Sequence, residues 1–128
     1  MSELRRQYHF RPSPNGYFAW DVLRLIDLSA SLPVFELSLD KIAEIDEMWW
    51  FQAEDDRPTP RAICNHFRLM QQAELDFPVI VCPQGRIMDG MHRIAKALTS
   101  GAQSVKAVQL LQMPDPDFRD VQPSDLET

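Results

Sequence analysis

The segment of residues 77–111 constrains the fold of this chain more than any other stretch. Residues 77–82, Phe-Pro-Val-Ile-Val-Cys, are almost entirely apolar, which predicts a short strand buried on both faces. Residues 83–85, Pro-Gln-Gly, are typical of a turn, and residues 86–88 predict the return strand of a hairpin. This second strand is expected to end at Asp89 and Gly90.

A helix is predicted directly after the hairpin. Four apolar residues recur at positions i, i+3, i+4 and i+7, which is the spacing of one helical face. Gly101 stands where a helix commonly ends, and residues 105–111 predict another strand. The four apolar positions are Met91, Ile94, Ala95 and Leu98.

The start of this predicted helix has the features of a phosphate site. The first backbone N–H groups of a helix are unpaired and carry a partial positive charge, which favours an anion. Gly90 lets a ligand approach the backbone closely, and His92 and Arg93 lie in the same turn. The segment also fits a structural interpretation, in which Asp89 caps the helix, Gly90 forms a tight turn and Arg93 is solvated or salt-bridged. The spacing alone does not separate the two interpretations.

The order strand, glycine turn, strand, Asp-Gly-Met-His-Arg, helix, glycine, strand resembles the ParB/sulfiredoxin superfamily. Residues 34–42 resemble the first strand and helix start of ParB N-terminal domains, so the resemblance covers residues 34–111. Members of the superfamily bind nucleotides at this helix start: CTP in ParB, ATP in sulfiredoxin and ADP in a free-serine kinase branch. The resemblance implies an α/β (α+β) fold in which a small mixed sheet is flanked by helices.

The same resemblance implies roles for the residues of the motif. Gly90, His92 and Arg93 match the phosphate-binding positions of the family. Asp89 matches the acid of the kinase branch, so it is a candidate catalytic residue and, beside the phosphates of a nucleotide, a candidate ligand of Mg²⁺. Sulfiredoxins have their reactive cysteine directly before His-Arg, whereas this chain has Met91, so we do not expect sulfinate reduction.

Other candidate site residues lie earlier in the chain. In the superfamily, the segment before the helix that precedes the hairpin lies near the ligand, which makes Arg57 and Arg61 candidates for a second phosphate contact. That helix carries His66 on its apolar face, where we expect a hydrogen-bonded histidine at the edge of the core. No base for phosphoryl transfer is evident, and Glu36 and Glu44 are the acids that we would test.

The expected function is nucleotide binding, with phosphoryl transfer or nucleotide hydrolysis assisted by Asp89 and Mg²⁺ as an enzymatic extension. The motif does not distinguish ATP, ADP and CTP. An alternative from another class is a non-catalytic interaction or regulatory module that uses the surface of Trp49 and Trp50. Four large apolar residues in succession, residues 48–51, cannot all point inward, so they form a structural plug, a wall of the ligand cleft or a contact between copies of the chain.

One domain is expected from the length and composition. A chain of 128 residues with 45% hydrophobic content can bury one core. Residues 1–16 predict a polar N-terminal leader, residues 17–113 the ParB/sulfiredoxin-like domain, and residues 114–128 an acidic, proline-containing tail that is disordered or lies loosely on the surface. Apolar residues also line one helical face over residues 17–30, which predicts an extra N-terminal helix.

The charge and the apolar pattern argue against duplex DNA and membranes as partners. The net charge is -6 and the sequence pI is about 4.9, unlike a protein that binds phosphate backbones through clustered basic residues. No apolar run approaches the ~20 residues that a transmembrane helix needs, and no signal peptide is evident. Cys64 and Cys82 lack Cys-x-x-Cys spacing and are expected to be reduced, buried thiols, so we expect a cytoplasmic protein.

Overall fold

A β-hairpin occupies the beginning of the described chain. In the computed structural model, which describes residues 7–52 and 56–126, β1 (Tyr8–Ser13) pairs antiparallel with β2 (Gly16–Asp21). The aromatic residues Tyr17, Phe18 and Trp20 favour a strand at this position. The prediction of a leader over residues 1–16 is therefore wrong for its described part, and its first six residues lie outside the described chain.

The helix predicted over residues 17–30 is shorter than expected. It forms α1 (Val22–Ser29), because residues 17–21 belong to β2. Asp21 marks the transition, since its side chain accepts a hydrogen bond from the backbone N–H of Leu23 at 3.0 Å and so caps the helix. Leu25 of α1 is fully buried, which fixes the helix on the domain.

The middle of the chain contains one strand and one long helix. The strand β3 (Phe35–Ser38) confirms the first strand expected within residues 34–42, whereas the helix start expected after it is a pair of 3₁₀ turns, Leu39–Lys41 and Ala43–Asp46. The helix α2 (Pro60–Gln72) is the expected helix that carries His66 and precedes the hairpin. The hydroxyl of Thr59 accepts a hydrogen bond from the N–H of Ala62 at 3.2 Å, and Pro60 occupies the first helical position.

The surface position of α2 was not predicted. None of its residues is buried, and the side chains of Ile63 and Phe67 are 52% and 55% exposed. The predicted apolar face of α2 is thus only partly covered within the described chain. Cys64 on this helix is exposed and Cys82 is buried, so the expectation of buried thiols holds for Cys82 alone.

The predicted hairpin and the elements after it are confirmed. They are β4 (Val79–Val81), β5 (Ile87–Asp89), α3 (Met91–Thr99) and β6 (Ser104–Gln109). The strands β4 and β5 are antiparallel, and Gly101, with φ of +79°, follows the end of α3. These boundaries agree with the sequence predictions to within about two residues.

The core lies on both faces of a four-stranded mixed sheet. Its strand order is β3-β6-β4-β5, with β4 and β6 parallel and the other pairs antiparallel. Alternate residues of the strands point to opposite faces, so Val79 and Val81 pack with α3, whereas Ile80 packs with Trp20 and Leu25. The sheet is therefore covered by α3 on one side and by α1 and the N-terminal hairpin on the other.

A second sheet binds the C-terminal segment to the domain. The strand β7 (Phe118–Val121) pairs antiparallel with β2, which gives the strand order β1-β2-β7. The indole Nε1–H of Trp20 donates to the carbonyl of Pro114 at 2.8 Å, and the backbone N–H of Asp117 donates to the carbonyl of Ala19 at 2.8 Å. The prediction of a disordered or loosely lying tail over residues 114–128 is wrong through residue 126, because these hydrogen bonds and β7 hold it.

The fold class is as predicted. The described residues form two sheets and three α-helices in a single-domain α+β arrangement, with the small mixed sheet flanked by helices. The start of α3, the end of β5 and residues of the N-terminal hairpin border one cavity. None of the helices in the described chain is long and apolar enough to cross a membrane.

Candidate functional site

A cavity of about 710 Å³ lies between the N-terminal hairpin and the start of α3. The end of β5 and the first residues of α3 contribute to its wall, and so does the C-terminal part of α2. A volume of this size falls within the range of small-ligand sites, roughly 300–1,000 Å³. Five aromatic side chains from separate parts of the chain take part in the lining: Tyr8, Phe10, Tyr17, Trp49 and Trp50.

Gly90 forms the turn at which β5 ends and α3 begins. Its φ of +116° is in the left-handed region, and a Cβ at this position would lie 2.5 Å from Cγ1 of Val79. Glycine is therefore required both by the backbone conformation and by the close approach to β4. Gly90 occupies the N-cap position, and no side chain in the described residues caps α3. The expectation that Asp89 caps this helix is therefore wrong.

Arg93 is bound within the protein. Its Nη2 donates to Oδ2 of Asp89 at 2.8 Å, and its Nη1 donates to the backbone carbonyls of Phe77 and Pro78 at 3.1 and 2.8 Å. The side chains of Arg93 and Asp89 are 17% and 15% exposed. The guanidinium thus ties the start of α3 to the chain before β4, and its charge is compensated by Asp89. Arg93 therefore has the salt-bridged structural role, which is one of the two interpretations that the sequence leaves open.

His92 forms a hydrogen-bonded pair with His66 of α2. Nε2 of His92 lies 2.9 Å from Nδ1 of His66, and the two rings are inclined by 20° with centroids 5.2 Å apart. The indole of Trp50 stacks on both imidazoles, at 4.3 Å from His66 and 4.8 Å from His92. His92 lines the cavity and His66 lies behind it on α2. His66 is hydrogen-bonded as expected, but its partner is a residue of the candidate site.

Both imidazoles of this pair favour the neutral form. Burial lowers the pKa of His92 to about 4, with smaller contributions from His66 and Arg93. Burial also lowers the pKa of His66, and Asp56 opposes this effect. At neutral pH the pair therefore has one N–H per ring, and one of these two protons lies between the rings.

His9 of β1 is a third histidine beside the cavity. Its ring is 8% exposed and lies 5.8 Å from Trp20 and 5.9 Å from Trp49, nearly parallel to the latter. Nε of Arg11 donates to Nε2 of His9 at 2.9 Å. Burial, followed by the charges of Arg11 and Arg86, lowers the pKa of His9 to about 3. His9 is therefore neutral and fixes the two tryptophans and Arg11 relative to one another.

Glu44, predicted as a catalytic candidate, has a structural role instead. It is 3% exposed, and its Oε2 accepts a hydrogen bond from the backbone N–H of Ile87. Its Oε1 lies 3.7 Å from Nη1 of Arg86. This carboxylate satisfies the first N–H of β5 and is not among the described residues that line the cavity. No local sequence pattern indicates this contact, because the partner of Glu44 lies 43 residues later in the chain.

Glu36, the second catalytic candidate, lies on the opposite edge of the sheet. It is exposed on β3, and its Oε1 accepts a hydrogen bond from the hydroxyl of Ser104 at 2.7 Å. Because the strand order is β3-β6-β4-β5, three strand spacings, roughly 14 Å, separate it from β5 and Asp89. The structure does not bring the three predicted catalytic acids together.

Arg57 and Arg61 also lie apart from the cavity. Both are exposed, Arg57 before α2 and Arg61 in its first turn, and neither is among the described residues that line the cavity. The neighbouring Asp56 does line it. The prediction of a second phosphate contact from these arginines therefore has no support in the arrangement of the described chain.

Trp49 and Trp50 are half-buried and form part of the cavity wall. They also pack against the core cluster on the α3 side of the sheet. Of the three roles left open for this segment, the structure shows the cleft wall combined with packing. A contact between copies of the chain through residues 49–51 stays a prediction.

The described residues do not form a metal centre. No group of three or more His, Cys, Asp and Glu side chains is arranged to hold a metal ion in this part of the chain. Asp89, the predicted ligand of Mg²⁺, offers one carboxylate, and one of its oxygens is engaged with Arg93. This donor set does not fit a magnesium site on its own.

The chain matches no protein-family model, and no curated protein or solved structure is significantly similar to it. The resemblance to the ParB/sulfiredoxin superfamily therefore stays a prediction. The site has to be interpreted from its own geometry.

Proposed function

We propose that the cavity binds a nucleotide. The observation that carries this proposal is the composition of the lining, in which aromatic rings and an uncapped helix start border the same space of about 710 Å³. A nucleotide has a flat base and an anionic phosphate group, and these two kinds of wall suit the two parts of the ligand. ATP, ADP and CTP remain the candidates, as the sequence resemblance implies.

The base is proposed to stack on the aromatic residues of the N-terminal hairpin. Phe10 lies between Tyr8 and Tyr17, with ring centroids 6.2 and 6.1 Å away, and the three rings form one continuous surface along β1 and β2. All three are partly exposed and line the cavity. Stacking of a base on an aromatic side chain contributes roughly 1–3 kcal/mol to binding and tolerates different bases.

The phosphates are proposed to bind at the start of α3. The N–H of Ile94 already donates to the carbonyl of Gly90, whereas the N–H groups of the first three helical residues precede the intrahelical ladder. Gly90 and His92 line the cavity, and Nδ1 of His92 lies outside the contact with His66. Arg93 is proposed to act indirectly, because its bonds to Asp89 and to the chain before β4 hold the turn in place.

Turnover of the nucleotide is a weaker proposal than binding. Asp89 is paired with Arg93, and Glu36 and Glu44 do not line the described cavity, so the three predicted acids do not supply an unpaired base there. Phosphoryl transfer depends on positioning and charge compensation, for which the described chain supplies a helix start but no metal centre. We therefore propose binding first, with Mg²⁺ as an ion that Asp89 and the phosphates of the nucleotide would hold together.

A cytoplasmic location belongs to the same proposal. Nucleotides are abundant in that compartment, and the two cysteines are free, with the Cys64 thiol exposed on α2. Exposed free thiols persist most readily where the surroundings are reducing. The proposal predicts no binding to duplex DNA, since the net charge of -6 opposes it.

The proposal is tested by thermal unfolding with ATP, ADP, CTP and a DNA duplex. A nucleotide at ~100 times its Kd should stabilise the protein by roughly 2.7 kcal/mol, whereas the duplex should have no effect at physiological salt. Phe10→Ala should weaken binding by about 1–3 kcal/mol through loss of stacking. Phe67→Ala is the matched control, because Phe67 is exposed on α2 and is not among the described residues of the cavity wall. Absence of any shift with all three nucleotides, in a protein that unfolds cooperatively, would refute nucleotide binding.

A further inference from the structure

The cavity has a particular shortage of positive charge. Of the basic side chains that line it in the described chain, Arg93 is compensated by Asp89, and His9 is held in its neutral form by the hydrogen bond from Arg11. His92 is the remaining basic side chain of the lining. A phosphate group that enters this cavity therefore needs a source of positive charge other than an arginine.

We propose that an anionic ligand binds here together with one proton, which the His66–His92 pair takes up. The inference rests on the proposed function and specifies its charge: the pair, rather than Arg93, is the cationic group of the site. His92 contacts the ligand, and His66 is a positioning residue that shares the proton. The proton comes from solvent, so the pair changes from neutral to a single positive charge and no covalent bond to the ligand forms.

The geometry of the pair supports a shared proton. The contact of 2.9 Å between Nδ1 of His66 and Nε2 of His92 requires one nitrogen to donate and the other to accept. The neutral pair thus has one proton in the contact and one on an outer nitrogen, which leaves the other outer nitrogen free to accept a proton. After protonation, both nitrogens outside the contact, Nε2 of His66 and Nδ1 of His92, carry a proton. His92 can therefore donate an N–H to the ligand, whichever ring carried the outer proton before.

The surroundings of the pair act in both directions, although the neutral form is favoured without a ligand. Burial and the nearby Arg93 favour the neutral form. Trp50 favours the charged form, because its indole face stacks on both rings and attracts a cation, and Asp56 before α2 acts in the same direction on His66. Asp89 of β5, which also lines the cavity, is compensated by Arg93. A ligand anion therefore adds to the groups that favour the charged form.

The size of the pKa change follows from the charge that a bound anion adds. An opposite charge within ~4–6 Å raises the pKa of a histidine by roughly 1–3 units. For His92, whose pKa is about 4 without ligand, a bound anion should therefore raise the pKa towards the ordinary value of a histidine. Between the two values, affinity for the anion should rise about tenfold for each pH unit of acidification, because one proton binds with the ligand.

The test uses ADP as the probe and nitrogen NMR of the imidazoles as the readout. The chain has three histidines, so single His→Gln variants assign every signal. On addition of ADP at pH 6, the nitrogens of His66 and His92 should shift towards imidazolium values while those of His9 stay neutral. Calorimetry in two buffers of different ionisation enthalpy should then show net proton uptake of at most one proton per ligand, and this uptake should be lost in His92→Gln.

The terminal phosphate of ADP titrates near pH 6 itself, so sulfate serves as an anion that keeps its charge across this range. His66→Gln should keep a single basic ring at the cavity but shift the pH at which affinity changes, which a purely structural role of His66 would not do. Binding of ADP with both rings neutral at every pH from 5.5 to 8 would overturn the inference and leave nucleotide binding intact. Failure of ADP, ATP, CTP and sulfate to bind the folded protein would overturn both proposals. The wild-type spectra decide the question even if a variant does not fold.

Discussion

Replacement of His9 by glutamine should make the fold less sensitive to acid. Nε2 of His9 accepts a hydrogen bond from Arg11, whose guanidinium can only donate, so this nitrogen carries a lone pair and the ring is neutral. Protonation would break this bond and place a second positive charge next to Arg11. The ring is 8% exposed, between Trp20 and Trp49, so solvent cannot compensate the added charge.

The magnitude follows from the lowered pKa. Burial, with contributions from Arg11 and Arg86, lowers the pKa of His9 from 6.5 to about 3. Below pH 6.5 the unfolded chain binds a proton that the folded protein does not, so the free energy of unfolding is unaffected above this pH and falls as the pH drops towards 3. Each pH unit below 6.5 lowers the free energy of unfolding by about 1.4 kcal/mol. Acidification from pH 7 to pH 4.5 should therefore lower it by roughly 2–3 kcal/mol through this residue alone.

Urea unfolding followed by tryptophan fluorescence at pH 7 and pH 4.5 measures this contribution. The wild-type protein should lose roughly 2–3 kcal/mol more on acidification than His9→Gln, although the variant should be the less stable of the two at pH 7. Comparison with the variant removes the effect of carboxylates, which titrate in both proteins. His66→Gln is the control, because His66 is only partly buried and should account for less. An equal loss in wild-type and His9→Gln would show that His9 titrates normally in the folded state and would refute the reasoning.

Three further substitutions test structural roles through the free energy of unfolding in urea. Glu44→Gln should cost about 2–3 kcal/mol, because it weakens the buried bond to β5 and removes the charge facing an arginine, while the exposed Glu36→Gln should change stability by less than about 0.5 kcal/mol. Gly90→Ala should cost about 2–4 kcal/mol, because its Cβ would collide with a β4 valine, and Gly85→Ala, where a Cβ meets nothing within 4 Å, should cost about 1 kcal/mol from its positive φ alone. Arg93→Ala should lower the free energy of unfolding by about 2–4 kcal/mol, since it leaves a carboxylate and two carbonyls without their partner. Unchanged stability would contradict this structural role and would favour a direct role of Arg93 in binding.

The elements predicted correctly are those whose signals are local. The apolar run of β4, the turn at Gly85 and the period of α3 lie within one stretch of chain, and each agrees with its neighbours. The hairpin of β1 and β2 also had a signal, since Asn15 and Gly16 separate two segments rich in aromatic residues, which is typical of a hairpin turn. The predicted helix over residues 17–30 overlaps this hairpin. The cap at Asp21 shows that the helix begins only after β2.

The strand β7 could not be predicted from its own residues. Two of its four residues are charged, and it follows a run of four prolines and aspartates, residues 114–117, so its local strand signal is weak. It pairs because β2 offers an edge about a hundred residues earlier in the chain. The turn of the first hairpin is fixed in the same way. Asp120, with φ of +56°, accepts hydrogen bonds from the hydroxyl of Ser13 at 2.7 Å and the N–H of Asn15 at 3.0 Å. Contacts at this separation are determined by the tertiary structure and not by any local pattern.

The candidate site also combines features with a local sequence signal and features set by tertiary contacts. This difference matters for which residues are proposed to supply its positive charge. The sequence indicates the motif of Gly90, His92 and Arg93, because these residues lie close together in the chain. It does not indicate that Arg93 is bound by Asp89 and by carbonyls before β4. His66, separated from His92 by 26 residues, was assigned to the core because an isolated histidine on an apolar helix face usually lies there. In the structure Arg93 is bound internally, and the cationic group that we propose for the ligand is instead the histidine pair. If this proposal is correct, binding of an anion should depend on pH more strongly than on Arg93.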